Sequence, residues 1–143
     1  MTNKITTQIL TYLGVLPFVF FTILNVLAVE YFFNIKVNFL LIGYAVVILS
    51  FVSGLNFSYG LKQNNYAIYY LIISNIIALI AYYHLLSTHY VFSYATILVA
   101  FLFCLVLDFY AYKAKIIAGW FFKLRLNITA LVSLCLGANI IFS

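Results

Sequence analysis

Charge is what this sequence has least of: two acidic and seven basic residues make up 6% of its 143 residues. A soluble domain carries about 25% charged residues, because its surface has to be hydrated. This scarcity excludes a soluble globular protein. The net charge of +5 would favour nucleic acid in a soluble chain. Here the basic residues lie between apolar runs, and no basic groove with stacking aromatics is present, so we expect no nucleic-acid partner.

Residues that catalyse reactions or hold cofactors are equally scarce. The two acids are Glu30 and Asp108, and the topology derived below places them on opposite sides of a membrane, which argues against paired-carboxylate chemistry. Cys104 and Cys135 form neither a CxxC nor a metal-ligand spacing, so we interpret them as small buried hydrophobic residues. HExxH, GxGxxG and P-loop motifs are absent. The sequence therefore predicts a protein that is not an enzyme and has no catalytic residue, metal site or cofactor.

Long apolar runs dominate the chain, which is 68% hydrophobic with a mean hydropathy of +1.20. A helix needs about 20 apolar residues to cross the ~30 Å hydrocarbon core of a bilayer. Five segments reach that length, at about 8–29, 38–61, 66–86, 91–112 and 117–142. The first is too long for the apolar region of a signal peptide, so we expect it to be retained. We predict an all-α integral membrane protein, a five-helix transmembrane bundle forming one domain over residues 1–143.

The basic residues of the short connections predict the orientation, because such residues accumulate on the cytoplasmic side. One side of the bundle would carry Lys4, Lys62, Lys113, Lys115, Lys123 and Arg125, and the other only Lys36. This places the N-terminus inside and the C-terminus outside. The thirteen tyrosines fall toward segment ends, as in an interfacial aromatic belt. We also expect Pro17 to kink the first helix, since it removes a backbone donor.

Four polar residues stand at similar depth near the basic side: Asn56, Asp108, Arg125 and Asn127. Polar groups inside a membrane cost free energy unless they are paired, so each one needs a partner. We predict an ion pair between Asp108 and Arg125 across the hairpin of the fourth and fifth spans, within a polar layer that includes both amides. Two roles stay open, a structural pair that pins the hairpin and a site that handles protons or a ligand. Interhelical hydrogen bonds are expected for three isolated amides, Asn25, Asn75 and Asn139.

Small residues interrupt the second span in the segment LSFVSGLNFSYG, at 49–60. Ser50, Gly54 and Ser58 recur every four residues, a pattern that lets two helix backbones approach closely. Beside them runs a second stripe of Ser53, Asn56 and Gly60. We predict that Ser50, Gly54 and Ser58 form a helix-packing face, with the lining of a small cavity as the alternative.

Three segments resemble an uncharacterised family of bacterial and mitochondrial membrane proteins that includes animal transmembrane protein 69. They are LGVLPFV at 13–19, GYAVVILSFVSGLNF at 43–57 and WFFKLRLNITALVSL at 120–134. Their order and spacing extend over nearly the whole chain. The resemblance implies a small polytopic inner-membrane protein and supplies no activity. Asn56 stands where members of that family often carry a basic residue.

Two functions fit these observations. The first is a non-enzymatic accessory or assembly partner of a larger membrane complex, surrounded by the lipid bilayer and bound to other subunits or to copies of itself. The second is a subunit of a small-molecule or ion transporter or channel with a polar site in the inner leaflet. We expect the bacterial inner (cytoplasmic) membrane, because no Arg- and Ser-rich presequence is present; the mitochondrial inner membrane is the alternative.

Overall fold

The computed structural model describes residues 2–62 and 66–142. Its elements are α1 (Thr2–Leu13), α2 (Leu16–Val26), β1 (Tyr31–Phe32), β2 (Ile35–Lys36), α3 (Val37–Leu61), α4 (Ala67–Leu86), α5 (Tyr90–Lys113) and α6 (Gly119–Phe142). α1 and α2 together form one apolar segment, Asn3–Val26. With α3 to α6, this makes five helical segments long and apolar enough to cross a membrane. The prediction of an all-helical bundle with five such segments is confirmed.

The first segment is broken between its two helices. α1 ends at Leu13, and the chain turns through Gly14 and Val15, where the Val15 amide donates to the Tyr12 carbonyl at 3.0 Å. Pro17 lies in the first turn of α2, where the missing N–H would have no helical partner in any case. The break in the first segment therefore lies at Gly14 and Val15, just before Pro17, and the segment begins and ends earlier than predicted.

A two-stranded hairpin, which the sequence analysis did not predict, follows the first segment. Tyr31 pairs with Lys36 and Phe32 with Ile35, so only Phe33 and Asn34 form the turn. Both turn residues have positive φ, at 50° and 61°. Positive φ at both positions is the geometry of the type I′ turn, whose twist matches that of the flanking strands. The hairpin closes the connection between α2 and α3.

The helices pack around α3, which contacts α2, α4 and α5, while α6 packs on α5 and α2. Their apolar core includes Phe18, Leu41, Leu49, Ile97 and Leu136, all fully buried. α1 stands apart from this core. Most of its side chains are exposed, and it contacts α6 only sparsely. One of these contacts places the Lys4 Nζ 5.6 Å from the centre of the Trp120 ring. α1 is therefore the helix least fixed by packing.

The small-residue face of α3 that packs within the bundle differs from the predicted face. Ser50 and Gly54 are exposed and Ser58 is half-buried, and a Cβ added to Gly54 would meet no atom within 4 Å. The second stripe packs instead. At Gly60 an added Cβ would lie 2.9 Å from the Tyr70 Cβ, so this glycine lets α3 and α4 approach closely. Gly54, the central residue of the predicted stripe, therefore does not contact another helix within the described part of the chain.

Several tyrosines also depart from the predicted aromatic belt. Tyr59, Tyr70 and Tyr94 are buried, and two of them join helices through their hydroxyls. The Tyr94 hydroxyl donates to the Asn38 Oδ1 at 2.8 Å, and the Tyr70 hydroxyl donates to the Leu107 carbonyl at 3.2 Å. These three rings therefore belong to the helix interfaces rather than to an outer belt.

Candidate functional site

A buried ion pair joins α5 and α6. The Arg125 Nε donates to the Asp108 Oδ2 at 2.9 Å, and the side chains are 7% and 1% exposed. The pair expected from the sequence is thus present in the structure. The contact is a single hydrogen bond from Nε, and the Arg125 Nη2 and the Asp108 Oδ1 do not form a second one. A planar guanidinium usually grips a carboxylate through two parallel bonds, so this pair keeps bonding capacity on both partners.

Unpaired polar atoms surround the ion pair. Within the described part of the chain, the buried atoms without a hydrogen-bond partner include both amide atoms of Asn56, the Tyr59 hydroxyl, the Asp108 Oδ1, the Arg125 Nη2 and the Thr129 hydroxyl. Buried polar groups in proteins are nearly always bonded, so such a group of exceptions marks a place for water or a ligand. We call these five residues the polar cluster.

Asn56 is the least satisfied member of the polar cluster. Its side chain is completely buried, on the side of α3 that faces α5. The Cys104 thiol, one helical turn before Asp108, is close enough to interact with the Asn56 amide, but this contact falls short of a hydrogen bond. Tyr59, on the next turn of α3, lies within electrostatic range of both charges of the ion pair. The cluster therefore offers donors and acceptors from three helices around a pair with no net charge.

Asn127 does not belong to the polar cluster, and its prediction was wrong. It follows Arg125 by two residues, which places it about 200° round the helix, and its side chain is exposed. Thr129, four residues after Arg125, shares the face of the arginine and is 2% exposed. Thr129 and Tyr59 are the members that the sequence reasoning missed. Their spacing from Arg125 and Asn56, four and three residues, was the available signal.

A cavity of about 400 Å³ adjoins the polar cluster. It lies between α1, the start of α2 and one face of α3 and α6, and apolar side chains such as Phe18, Phe51 and Ile128 form most of its walls. Arg125 also lines it, so this residue bonds α5 on one side and borders the cavity on the other. The cavity exists because α1 packs loosely on the rest of the bundle.

Polar residues at the opposite end of the bundle are paired. The Asn25 Nδ2 donates to the Asn139 Oδ1 at 2.7 Å, and the Asn139 Nδ2 donates to the Thr22 hydroxyl at 2.9 Å. The interhelical bonds expected for Asn25 and Asn139 are therefore present. Asn75 instead donates to the Leu71 carbonyl of its own helix at 2.7 Å, so that expectation was wrong. The bonds of Asn139 to Asn25 and Thr22 hold α6 against α2 and leave these side chains few free donors or acceptors for a ligand.

The described residues include no group of three His, Cys, Asp or Glu side chains that could hold a metal ion. His84 is buried and its Nδ1 lies 3.2 Å from the Ser93 hydroxyl, which joins α4 to α5. Cys104 and Cys135 are free thiols.

A family model matches residues 3–141, nearly the whole chain. The chain belongs to the DUF3429 family. Its description is a protein of unknown function, so membership in DUF3429 assigns no activity to the polar cluster. No curated protein and no solved structure matches the chain. The side chains of this DUF3429 member are therefore the basis for any proposal about its function.

Proposed function

We propose that this DUF3429 protein is a polytopic membrane protein that acts as an accessory or assembly subunit of a larger membrane complex, without enzymatic activity. Its five apolar segments leave large hydrophobic side chains such as Val47, Leu79 and Leu134 exposed, as a lipid-facing surface requires. The connections between the helices are short, so little of the chain extends beyond the bundle. We also propose a relation to the family that includes animal transmembrane protein 69.

The proposed orientation is N-terminus inside, in the bacterial inner membrane, with the mitochondrial inner membrane as the alternative. Lysines gather at one end of the bundle, and short basic segments stay on the cytoplasmic side. A variant with Cys104 and Cys135 replaced by Ala, carrying either Asn34→Cys or Lys115→Cys, tests this in intact cells. A membrane-impermeant maleimide should label position 34 directly and position 115 only after permeabilisation. The reverse pattern would overturn the orientation.

The stripe of Ser50, Gly54 and Ser58 on α3 is the observation that supports a partner subunit. Small residues recurring every four positions let a second helix approach closely. Among the described residues, Ser50 and Gly54 are exposed and Ser58 is half-buried, and an added Cβ at Gly54 would meet no atom within 4 Å. Lipid tails gain little from such a surface, whereas a partner helix gains backbone contact along two turns. A stripe of this kind on the central helix favours a binding partner within the membrane.

The test compares two glycine variants by their mass in mild detergent. Wild-type protein extracted from its native membrane should run as a complex larger than the 16.3 kDa monomer. Gly54→Leu should release the monomer, because the side chain covers the stripe. Gly137→Leu is the matched control, since an added Cβ at Gly137 also meets no atom within 4 Å. A monomeric wild type, or equal effects of both substitutions, would refute the partner face.

The polar cluster favours a second candidate function, a subunit of a small-molecule or ion pathway. Unpaired donors and acceptors beside a buried ion pair are a typical feature of intramembrane transport sites. Ion flux into liposomes containing the purified protein tests this candidate. Asp108→Asn should lower the flux, and Asn127→Leu, on the exposed face, should not. Absence of flux through wild-type protein would remove this candidate.

A further inference from the structure

A polar pocket of about 340 Å³ lies at the end of the bundle where α2 and α6 end and α3 and α5 begin. Glu30 and Lys36, the two charged residues of the connection between α2 and α3, both line this pocket and are exposed. Amides and phenols form the rest of its polar lining, which comprises Asn25, Tyr31, Asn38 and Tyr90. The pocket therefore combines one carboxylate and one ammonium group with uncharged donors and acceptors.

The two charged side chains are not paired with each other. Within the described residues, the ion pair of the structure is the one between Asp108 and Arg125. Glu30 and Lys36 thus line one pocket with opposite charges that do not neutralise each other by direct contact. A ligand with a single charge would pair with one of these residues, whereas a zwitterion pairs with both and leaves the net charge of the pocket unchanged.

Lys36 stands at a position that does not suit a cation. It is the N-cap residue of α3 and makes no capping bond through its side chain. N-cap positions usually carry Ser, Thr, Asp or Asn, and the partial positive charge of a helix N-terminus disfavours a neighbouring ammonium. A lysine here does not stabilise α3, but it adds to the attraction of that helix end for an anion. Glu30, on the same pocket, supplies the opposite charge for a cation.

Bonded side chains close the pocket toward the core of the bundle. The Asn25 Nδ2 donates to the Asn139 Oδ1 at 2.7 Å, and the Tyr94 hydroxyl donates to the Asn38 Oδ1 at 2.8 Å. Asn139 and Tyr94 are fully buried. Because Asn38 accepts through Oδ1, its Nδ2 is left to donate to a ligand in the pocket. The closed floor favours a pocket that binds its ligand over one that conducts it through the bundle.

We propose that this pocket binds a zwitterion whose ammonium contacts Glu30 and whose anionic group contacts Lys36 and Asn38. Its volume lies near the lower end of the roughly 300–1,000 Å³ typical of small-molecule pockets, so it takes a head group rather than a whole lipid. Val29 and Phe142 also line the pocket and are 36% and 63% exposed, which leaves acyl chains a path into surrounding lipid. The head group of phosphatidylethanolamine has this chemistry, and a free amino acid is the other source.

Native mass spectrometry of the purified full-length protein in mild detergent tests the ligand class. Three lipids with the same acyl chains are titrated: zwitterionic phosphatidylethanolamine, anionic phosphatidylglycerol and uncharged diacylglycerol. Phosphatidylethanolamine should bind about threefold to fivefold more tightly than phosphatidylglycerol, because it forms one further exposed ion pair. Diacylglycerol should bind most weakly. Equal or tighter binding of phosphatidylglycerol would overturn the proposal.

Two competitors without acyl chains separate the sources of the zwitterion. Glycerophosphoethanolamine and glycine should each displace phosphatidylethanolamine, since both carry an ammonium and an anionic group. Stronger displacement by glycerophosphoethanolamine assigns the pocket to a phospholipid head group, and stronger displacement by glycine assigns it to a free amino acid. Displacement by neither compound would refute recognition of the zwitterion itself.

Substitutions of the two charged residues connect this preference to the pocket. Glu30→Gln should lower the affinity for phosphatidylethanolamine to that for phosphatidylglycerol and leave the latter unchanged, since only the partner of the ammonium is lost. Lys36→Gln should weaken both lipids by about threefold to fivefold. Lys115→Gln is the matched control, because Lys115 is exposed at the opposite end of the bundle. Equal effects of Lys36→Gln and Lys115→Gln would place the lipid outside the pocket.

An unchanged preference for phosphatidylethanolamine in Glu30→Gln protein would refute the role of Glu30. Both substituted positions are exposed, so wild-type circular dichroism and a monodisperse elution profile are expected of each variant. The inference rests on the proposed membrane location. Wild-type protein that is recovered from membranes but shows no preference for the zwitterion would refute the inference and leave that location standing.

The pocket shares no residue with the stripe of Ser50, Gly54 and Ser58, so its test is independent of the partner face.

Discussion

Replacing Arg125 with Met should strongly destabilise the bundle, because the Asp108 carboxylate then remains buried without its counter-charge. Both side chains are more than nine-tenths buried, so water cannot screen the loss. Removing one member of a buried pair costs about 3–5 kcal/mol. The Asp108–Arg125 contact has one hydrogen bond rather than two, so we expect the lower end, about 3 kcal/mol of unfolding free energy. Asp108→Leu should cost a similar amount, since it leaves the guanidinium unpaired.

The double variant Asp108→Leu/Arg125→Met should recover most of this loss. Replacing both charges with apolar side chains is often neutral, so the double variant should lie within about 1 kcal/mol of the wild type. The coupling energy of the double-mutant cycle, the difference between the double effect and the sum of the two single effects, is then about 5–7 kcal/mol. Additive single effects, or single effects below about 0.5 kcal/mol, would refute a stabilising charge pair at this position.

Unfolding in mixed micelles with increasing sodium dodecyl sulfate measures these free energies. Trp120 is the single tryptophan of the chain and lies at the start of α6, so its fluorescence reports on the helix that carries Arg125. Lys123→Met is the matched control, because it removes a cation from the same helix at an exposed position. It should change the unfolding free energy by no more than about 0.5 kcal/mol.

Two further matched pairs test the packing with the same unfolding assay. Gly60→Ala places a Cβ 2.9 Å from the Tyr70 Cβ and should cost about 1–3 kcal/mol relative to Gly54→Ala, which meets no atom within 4 Å. Equal effects would show that the close approach of α3 and α4 is not stabilising. Asn139→Leu removes two interhelical hydrogen bonds and should cost about 1–2 kcal/mol, whereas Asn127→Leu on the exposed face should be neutral. A larger loss from Asn127→Leu would contradict the assigned helix face.

The number of helices and the ion pair could be predicted from the sequence, because they depend on long apolar runs and on two isolated charges. The face on which each helix packs could not. In a soluble helix, apolar residues mark the buried side, but here they cover both the core and the outer surface. The stripe of Ser50, Gly54 and Ser58 and the stripe of Ser53, Asn56 and Gly60 were therefore equally good candidates for packing within the bundle, and the second stripe is the one that is buried there. The prediction that Asn127 joins the polar cluster was wrong for the same reason. The depth of a residue along a helix does not show on which face of the helix it lies.

The hairpin of β1 and β2 could not be predicted for a different reason. Type I′ turns usually contain Asn-Gly or Asp-Gly, and this chain has Phe33 at the first turn position. Of the two turn residues, only Asn34 indicates a turn, since asparagine tolerates positive φ more readily than most residues. Strands of two residues are also too short to produce an alternating pattern.

The ion pair between α5 and α6 has a consequence for biogenesis. A charged residue adds up to about 2.5–3.5 kcal/mol to the insertion of a helix into a bilayer, the full cost applying at the helix centre. α6 carries Lys123 and Arg125 in its first two turns. The connection from Ala114 to Ala118 is short enough for α5 and α6 to leave the translocon together as a helical hairpin. In the proposed membrane protein, contact between Asp108 and Arg125 within that hairpin would cancel one charge of each helix before lipid surrounds them. Integration of the last helix would then depend on the acidic residue of the helix made before it.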